Sequence, residues 1–516
     1  MAASSDLFEL ITSLSKSEKR YFRIFASLHA RDGSNKYLQL FDLIDAQREY
    51  NEEEVRARFQ ERFALRHFAE AKYYLYNAIL RALHLYAADQ SVDVQITTAL
   101  HQAMILYDRN LFRQSEKMVA RARELAIANE RWHLAIDADM LEQRFAERGG
   151  ASPERIGELL ERIFHHDDLS RDRLEQWATY VRMIAQIRAF GQPRNNDQLA
   201  AFVGLLQGNP EPGRLNAATL TAAIYHLYSR AVLEQAAGNY RAAAELYREM
   251  LPMFGASAYW ANCEQNSVLP VIANICLLSV KARDREMFNE YYPILLEQAE
   301  RSPRSAYYEA YIGALTLKAE FHLALGEYGE ALAAGMELQG AMDAARIPPG
   351  IARRARAAML LMAIHFGLGN YSRCIELLNM VFAMKPEGLP PYHFGVARIY
   401  QLMIHVERGD DDLLEHLLRS AHRYFVAGSS GYRLEGIIIE FIKQTLRAGN
   451  RIGSPALLRD LLERIAPLLD DPFERSLLNW VDIVAWLRSR VYGIPYARER
   501  QKAIAAARHG AQAADA

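Results

Sequence analysis

Residues that break helices recur along this chain at nearly constant intervals, and this regularity constrains the fold more than any other feature. Each short turn can be marked by one residue, and successive marks lie 40 to 47 residues apart. Each interval has room for two helices of about 15–20 residues. One helical hairpin cannot bury both of its apolar faces, so neighbouring hairpins must cover it. The marks are Asn110, Gly150, Gly191, Gly238, Asp284, Gly326, Gly369, Gly409 and Gly449.

Helical periodicity dominates between the marks, and no long run alternates with the period of a strand. Hydrophobic residues make up 51% of the 516 residues, and the formal net charge is −2. This composition excludes a disordered chain, a collagen-like fibre, a disulfide scaffold and a nucleic-acid binder driven by bulk charge. We therefore predict an all-α fold, a right-handed superhelical solenoid of antiparallel helix hairpins. Its parts are an N-terminal helical cap (1–95), the solenoid (96–490) and a C-terminal helix with a disordered tail (491–516).

Three turns carry more than a glycine. Gly238-Asn239-Tyr240 is followed by Ala243 and Tyr247, Gly326-Glu327-Tyr328 by Ala331, and Gly369-Asn370-Tyr371 by Cys374, Leu378 and Pro386. Glycine permits the tight turn, and we expect the tyrosine to pack back over the preceding helix. The small residue three positions after the tyrosine lets two backbones approach. The larger residue four positions further on is expected to fill the groove between hairpins.

At these residues the sequence resembles the tetratricopeptide repeat, whose second helix opens Gly-[Asp/Asn]-Tyr-x-x-Ala-x-x-x-[Phe/Tyr]. The resemblance implies stacked helical hairpins with a partner-binding concave surface lined by the first helix of each hairpin. The period departs from the usual 34 residues of that family. HEAT and armadillo repeats, at about 40–47 residues, fit the period better and the Gly-x-Tyr turns worse.

The first 95 residues differ from the repeats. Ser15 and Glu18 are spaced as a capping box for a helix over 16–30. Further helices are predicted over 36–48, from about 51 to 62 and over 67–88. The whole arrangement resembles uncharacterised bacterial proteins that join such a region to tetratricopeptide-like repeats, which implies an architecture and no activity. At the other end we expect a frayed final helix and disorder after His509.

The compartment expected from the sequence is the cytoplasm. The N-terminus shows no basic segment followed by an apolar one, so no secretory signal is predicted. The most apolar mid-chain stretch, 269–280, is shorter than the roughly 20 residues of a membrane span. Cys263, Cys276 and Cys374 lie inside apolar helical patterns and are expected to be small buried hydrophobes.

No enzymatic activity, cofactor or metal is predicted. The densest group of metal-ligand types is His165-His166-Asp167-Asp168, where only His165 and Asp168 share a helix face and no third ligand is evident. We interpret this group as a solvated helix end. The phosphate-binding, dinucleotide-binding, nucleophile-elbow and Cys-x-x-Cys motifs are missing.

The candidate partner site lies on first helices of the predicted hairpins. Asparagine amides can bond an extended peptide backbone through both donor and acceptor, and arginines can bind anionic groups. We therefore predict a non-enzymatic scaffold that binds a partner protein or peptide. Solvated positions and helix caps remain the alternative interpretation of these side chains. The candidates are Asn262, Asn266, Asn274, Arg353, Arg354, Arg356 and Arg398.

A second function stays open, a solenoid that senses a ligand while its N-terminal helices act on DNA or another effector. Lys72, Tyr73, Tyr74 and Asn77 on the last cap helix could face a groove. Residues 1–90 contain 13 Lys+Arg and 13 Asp+Glu. Because DNA affinity needs a surface that neutralises phosphates, nucleic acid is not the expected partner.

Overall fold

The computed structural model describes residues 5–28, 36–60, 68–88, 91–190, 192–193, 195–207, 219–256, 268–301, 304–344, 349–384, 392–427, 433–447, 454–475, 478 and 481–514. Within these residues the chain is helical and contains no strand, so the prediction of an all-α fold is confirmed. Consecutive helices pack against each other along the chain. Two turn marks, Gly191 and Gly449, lie outside the described residues, as do Cys263 and Pro386.

The residues form two compact units, the first built mainly from residues up to Ser170 and the second mainly from Arg171 onward. No helix in the described ranges combines the length and apolar character needed to cross a bilayer. The first nine helices are α1 (Asp6–Ser13), α2 (Lys16–Leu28), α3 (Lys36–Asp45), α4 (Glu52–Gln60), α5 (Phe68–Ala88), α6 (Val92–Asp108), α7 (Phe112–Ala128), α8 (Trp132–Arg148) and α9 (Pro153–Phe190).

Helices α1 to α5 share one hydrophobic core. It is centred on Ile11, Phe22, Phe41, Leu75 and Ile79, all with at most 1% of their surface exposed. The rings of Phe22 and Phe41 lie 4.7 Å apart, which joins α2 to α3. The sequence predicted four of these helices, and α1 is an addition.

The capping box at the start of α2 is confirmed. The backbone N–H of Ser15 donates to Glu18 Oε2 over 2.7 Å, and the N–H of Glu18 donates to Ser15 Oγ over 3.2 Å. Two backbone donors that the helix leaves unpaired are thereby satisfied. This local motif fixes where the helix begins.

Helix α9 corrects the sequence interpretation. The interval between the marks Gly150 and Gly191 predicted two helices, whereas the structure has one helix of 38 residues, Pro153–Phe190. Residues 158–190 contain neither glycine nor proline. Nothing in that stretch interrupts the backbone hydrogen bonds, so the helix continues.

The second unit contains α10 (Asn196–Gln207), α11 (Leu220–Ala236), α12 (Tyr240–Ala256), α13 (Val268–Ala282), α14 (Arg285–Arg301), α15 (Arg304–Ala324), α16 (Tyr328–Asp343), α17 (Ile351–Gly367), α18 (Tyr371–Phe382), α19 (Tyr392–Arg408), α20 (Asp411–Ala427), α21 (Arg433–Arg447), α22 (Pro455–Ile465), a 3₁₀ helix (Ala466–Asp470), α23 (Pro472–Arg475), α24 (Ile483–Tyr492) and α25 (Tyr496–Ala514).

One turn geometry recurs at most of the predicted marks. A residue with positive φ ends the helix, and the next residue donates its N–H to the carbonyl five residues earlier over 2.8–3.0 Å, which is the Schellman motif. The turn at Glu130, which the spacing did not mark, has the same geometry. The residues with positive φ are Asn110, Glu130, Gly150, Gly238, Arg283, Gly326, Gly369, Gly409 and Gly493.

The residues after the three Gly-x-Tyr turns pack as predicted. Ala243, Ala331 and Cys374 are completely buried, and the larger Tyr247 and Leu378 expose 2% of their surface. Of the three turn tyrosines, Tyr328 is buried, while Tyr240 and Tyr371 are half-buried. Small side chains at these positions therefore do allow close packing between helices.

Two cysteines fall within the described residues, and both are buried and free, as predicted. Burial raises the pKa of Cys276 to about 12 and that of Cys374 to about 12. At neutral pH both side chains are therefore thiols.

The first half of the last helix packs into the second unit, while the predicted disorder after His509 stays a prediction. α25 continues to Ala514, past His509, and its first half is packed, with Ile504 only 4% exposed. Trp486 on α24 is 2% exposed and belongs to the core that α17 to α22 share. The C-terminus is therefore an integral part of the second unit.

Candidate functional site

The structure places the predicted partner-binding residues on three helices of the second unit. Asn274 is half-buried on α13, Arg353, Arg354 and Arg356 lie on the first two turns of α17, and Arg398 lies on α19. Asn262 and Asn266 lie outside the described residues.

Two of the arginines link α17 to α15. Arg356 donates to both carboxylate oxygens of Glu320, over 2.7 and 2.6 Å, and Arg353 forms an ion pair with Glu309. A bidentate arginine–carboxylate pair fixes geometry as well as charge. Gly313 on α15 leaves room for Arg353, since a side chain there would begin 3.1 Å from the arginine Nη1.

Lys281 extends this set of charges to α13. It is half-buried, and burial lowers the pKa of its ammonium group; the nearby Glu320 opposes this change, and the nearby Arg356 adds to it. Lys281 and Arg356 therefore lie in the field of one carboxylate, and the formal charges of the three groups sum to +1. Sequence analysis missed Lys281, Glu309 and Glu320, whose roles emerge only when α13, α15 and α17 are brought together.

Arg354 differs from its neighbours. Its side chain is exposed, and within the described ranges it forms no ion pair. It stands one residue after Arg353 and two before Arg356. An incoming anion would therefore meet the solvated guanidinium of Arg354. The guanidinium groups of Arg353 and Arg356 are already paired with carboxylates.

Arg398 has a different environment from the arginines of α17. Its guanidinium lies 4.2 Å from the ring centre of Tyr424 and 5.4 Å from that of Phe382, and it donates to the Phe394 carbonyl over 3.1 Å. Burial lowers the pKa of Arg398. Cation–π contacts with α18 and α20 thus hold this side chain.

From α13 to α20, formal charge is divided between alternate helices. α13 carries +1, α15 is neutral, α17 carries +3 and α19 carries +1, for a total of +5. The helices between and after them, α14, α16, α18 and α20, carry −2, −3, 0 and −1, for a total of −6. The net charge of −2 for the whole chain conceals this division.

Side chains also join alternate helices of the second set. Arg248 on α12 donates to the Tyr291 hydroxyl on α14 over 3.0 Å. On the same helix, burial and the nearby Glu337 carboxylate of α16 raise the pKa of Tyr292. A hydrogen bond thus joins α12 to α14 and an electrostatic interaction joins α14 to α16. In the other set, an electrostatic interaction joins α13 to α15 and hydrogen bonds join α15 to α17.

The cap residues that suggested a DNA-binding surface have separate roles. Lys72 donates to Glu52 over 2.8 Å and to the Tyr50 hydroxyl over 3.0 Å. Its hydrogen bond lowers the pKa of Glu52. Tyr73 and Tyr74 are exposed by 69% and 58%, and Asn77 bonds to its own helix.

The His165–Asp168 group is divided between environments. His166 is buried on α9, with its Nδ1 2.7 Å from Asp139 Oδ2 of α8. Arg162 also bonds Asp139, over 2.8 Å. Among the described residues, no three histidine, cysteine, aspartate or glutamate side chains come together as metal ligands. These contacts join α8 to α9, and the sequence interpretation of a solvated helix end does not hold for His166.

Comparison with protein-family models, with curated protein sequences and with solved structures returned no significant match.

Proposed function

We propose that this protein is a non-enzymatic, cytoplasmic interaction scaffold that binds an acidic segment of a partner protein. In this proposal the helices after α9 form antiparallel hairpins of a right-handed, tetratricopeptide-like superhelix. The first helices of the hairpins, α13, α15, α17 and α19, form one wall, and the segment binds along it in an extended conformation. We call these four helices the basic row.

The observation that carries the proposal is the division of charge between alternate helices. A total of +5 on the basic row against −6 on α14, α16, α18 and α20 gives each set of helices its own electrostatic character. The electrostatic interaction of Lys281 with Glu320, and the hydrogen bonds of Arg356 to Glu320, support the idea that the basic row is one continuous surface. Complementary charge on a partner would accelerate its association and fix its register.

Each residue has a distinct part in this proposal. Glu309 and Glu320 hold Arg353 and Arg356 in place, so these guanidinium groups are ordered before a partner arrives. Arg354 is exposed and makes the first contact with a carboxylate. Asn274 supplies a half-buried amide on the same row.

Selection from a displayed random peptide library tests the proposal. Peptides enriched on the wild-type protein should carry an excess of aspartate and glutamate. Arg354→Glu should weaken their binding about tenfold, since reversing a charge about 6 Å from a carboxylate changes the energy by about 1.4 kcal/mol in water.

The matched control is Arg419→Glu, which makes the same charge change at another exposed arginine, on α20. It should leave the affinity within about twofold. Enrichment of basic or uncharged peptides, or equal loss of binding in both variants, would contradict the proposal.

A further inference from the structure

The C-terminal segment of residues 481–504, which we call the strap, contacts the second unit beside the turns that join α15 to α16, α17 to α18 and α19 to α20. It reaches Glu407 just before the turn at Gly409, Phe366 just before the turn at Gly369, and Gly326 with Tyr328 at the turn before α16. The partners are 79 to 175 residues apart in the chain. A regular stack of hairpins joins each helix mainly to its neighbours, so these contacts are an additional constraint.

Glu407, near the end of α19, is the first anchor. One carboxylate oxygen accepts the indole N–H of Trp486 over 2.7 Å. The other accepts the Tyr371 hydroxyl over 3.2 Å and is 3.4 Å from Arg490 Nη1. A single carboxylate thus ties the strap to the end of α19 and to the start of α18.

Tyr328 and Gly326 form the second anchor. Arg500, itself 9% exposed, donates to the Tyr328 hydroxyl over 3.1 Å, and Gln501 donates to the Gly326 carbonyl over 2.7 Å. Between the anchors, Tyr496 packs 5.2 Å from the ring of Phe366, at the end of α17. The strap therefore holds the ends of α17 and α19 and the start of α16.

Two of the helices held in this way, α17 and α19, carry +3 and +1 of the +5 on the basic row. α17 bears Arg353, Arg354 and Arg356 near its start, and its far end lies against the strap. Because the strap holds the C-terminal ends of both α17 and α19, it limits how far these two helices can separate or slide past each other. A surface held in its binding arrangement avoids the entropic cost of ordering when a partner binds.

We infer that the strap is a built-in brace that fixes the spacing of α17 and α19 and so sets the affinity of the basic row. The effect on affinity rests on the proposed function, whereas the effect on α17 and α19 does not. The two parts can therefore be tested separately.

The experiment removes single donors from the strap of the full-length protein. Trp486→Phe keeps an aromatic ring and loses the bond to Glu407, and Gln501→Ala loses the bond to Gly326. Lys502→Ala is the control, since Lys502 is exposed on the same helix and its nearest carboxylate is Glu499, 3.9 Å away. Circular dichroism confirms that each variant is folded.

Amide hydrogen exchange without any ligand is the first readout. Both strap variants should speed exchange at the helix ends that the strap holds, which are the last turns of α17 and α19 and the start of α16, and the control should not. The combined variant should show the larger effect. Faster exchange confined to α24 and α25 would overturn the inference, whatever the protein binds.

Affinity for an acidic peptide selected on the wild-type protein is the second readout. The combined variant should raise the Kd about tenfold, the factor expected if the competent arrangement falls to about a tenth of the molecules. An unchanged Kd with faster exchange in α17 and α19 would overturn control of affinity. If the wild-type protein selects no acidic peptide, the proposed function is contradicted. The hydrogen-exchange data still test whether the strap fixes α17 and α19, because that experiment uses no ligand.

Discussion

At the residue scale, Gly367 shows how a missing side chain decides the way two helices meet. A Cβ at this last residue of α17 would lie 1.9 Å from Tyr328 Cε1. The tyrosine ring therefore rests directly on the α17 backbone, where its hydroxyl accepts the bond from Arg500. The sequence marked Gly326, Tyr328 and Gly369 as turn residues, but nothing local identified Gly367 as the contact for Tyr328.

Substituting Gly367 tests this contact. Gly367→Ala should destabilise the protein by about 1–3 kcal/mol, because the ring or the helix must shift. The measurement is urea-induced unfolding followed by circular dichroism.

Gly340→Ala is the matched control, since a Cβ at this helical glycine meets nothing within 4 Å. It should stabilise by about 0.5–1 kcal/mol through helix propensity. If the two variants unfold at the same urea concentration, the Tyr328 ring does not lie against the backbone at Gly367.

At the scale of elements, local chemistry explains which turns the sequence could predict. A positive φ and a Schellman bond need only a few adjacent residues, so glycines 238, 326, 369 and 409 revealed their turns. The spacing rule failed at α9. Because residues 158–190 contain no glycine or proline to end the helix, one long helix forms where the repeat interval predicted two. The spacing rule also did not predict the turn at Glu130, which has a positive φ without a glycine.

His365, at the end of α17, is expected to make the stability of the protein depend on pH. Burial, with a smaller effect from Arg373, lowers its pKa below the usual 6.5, and its Nδ1 is 3.4 Å from the Asn370 amide nitrogen. The pKa in the folded protein is below that in the unfolded chain. The contribution of neutral His365 to stability is therefore complete above about pH 6.5 and is lost as the pH falls through the folded value.

The wild-type protein and the His365→Gln variant should differ in how their Tm depends on pH. His365→Gln keeps an acceptor near Asn370 and removes the titration. As the pH falls from about 7 to 5, the Tm of the wild-type protein should fall more than that of the variant. Parallel profiles would show that His365 does not contribute to the pH dependence of stability.

At the scale of the whole molecule, the sequence predicted the all-α class and consecutive helix packing but not the distribution of charge. The net charge of −2 gave no sign of this distribution, because the opposite charges on the helices from α13 to α20 nearly cancel in the sum. The arginines of α17 were identified from their position at a helix start, whereas Lys281 and Glu320 needed the three-dimensional arrangement of α13, α15 and α17. The strap was missed for a similar reason, since contacts such as Arg500 to Tyr328 span 172 residues and leave no local pattern.

Hydrogen exchange of the peptide complex shows which helices the peptide covers, and it therefore tests whether the basic row is the binding surface. An acidic peptide selected on the wild-type protein should slow exchange in α13, α15 and α17, with less protection as salt rises and screens the charges. The helices α14, α16 and α18 should exchange as they do without peptide. Protection confined to those helices, or to the N-terminal cap, would contradict the account.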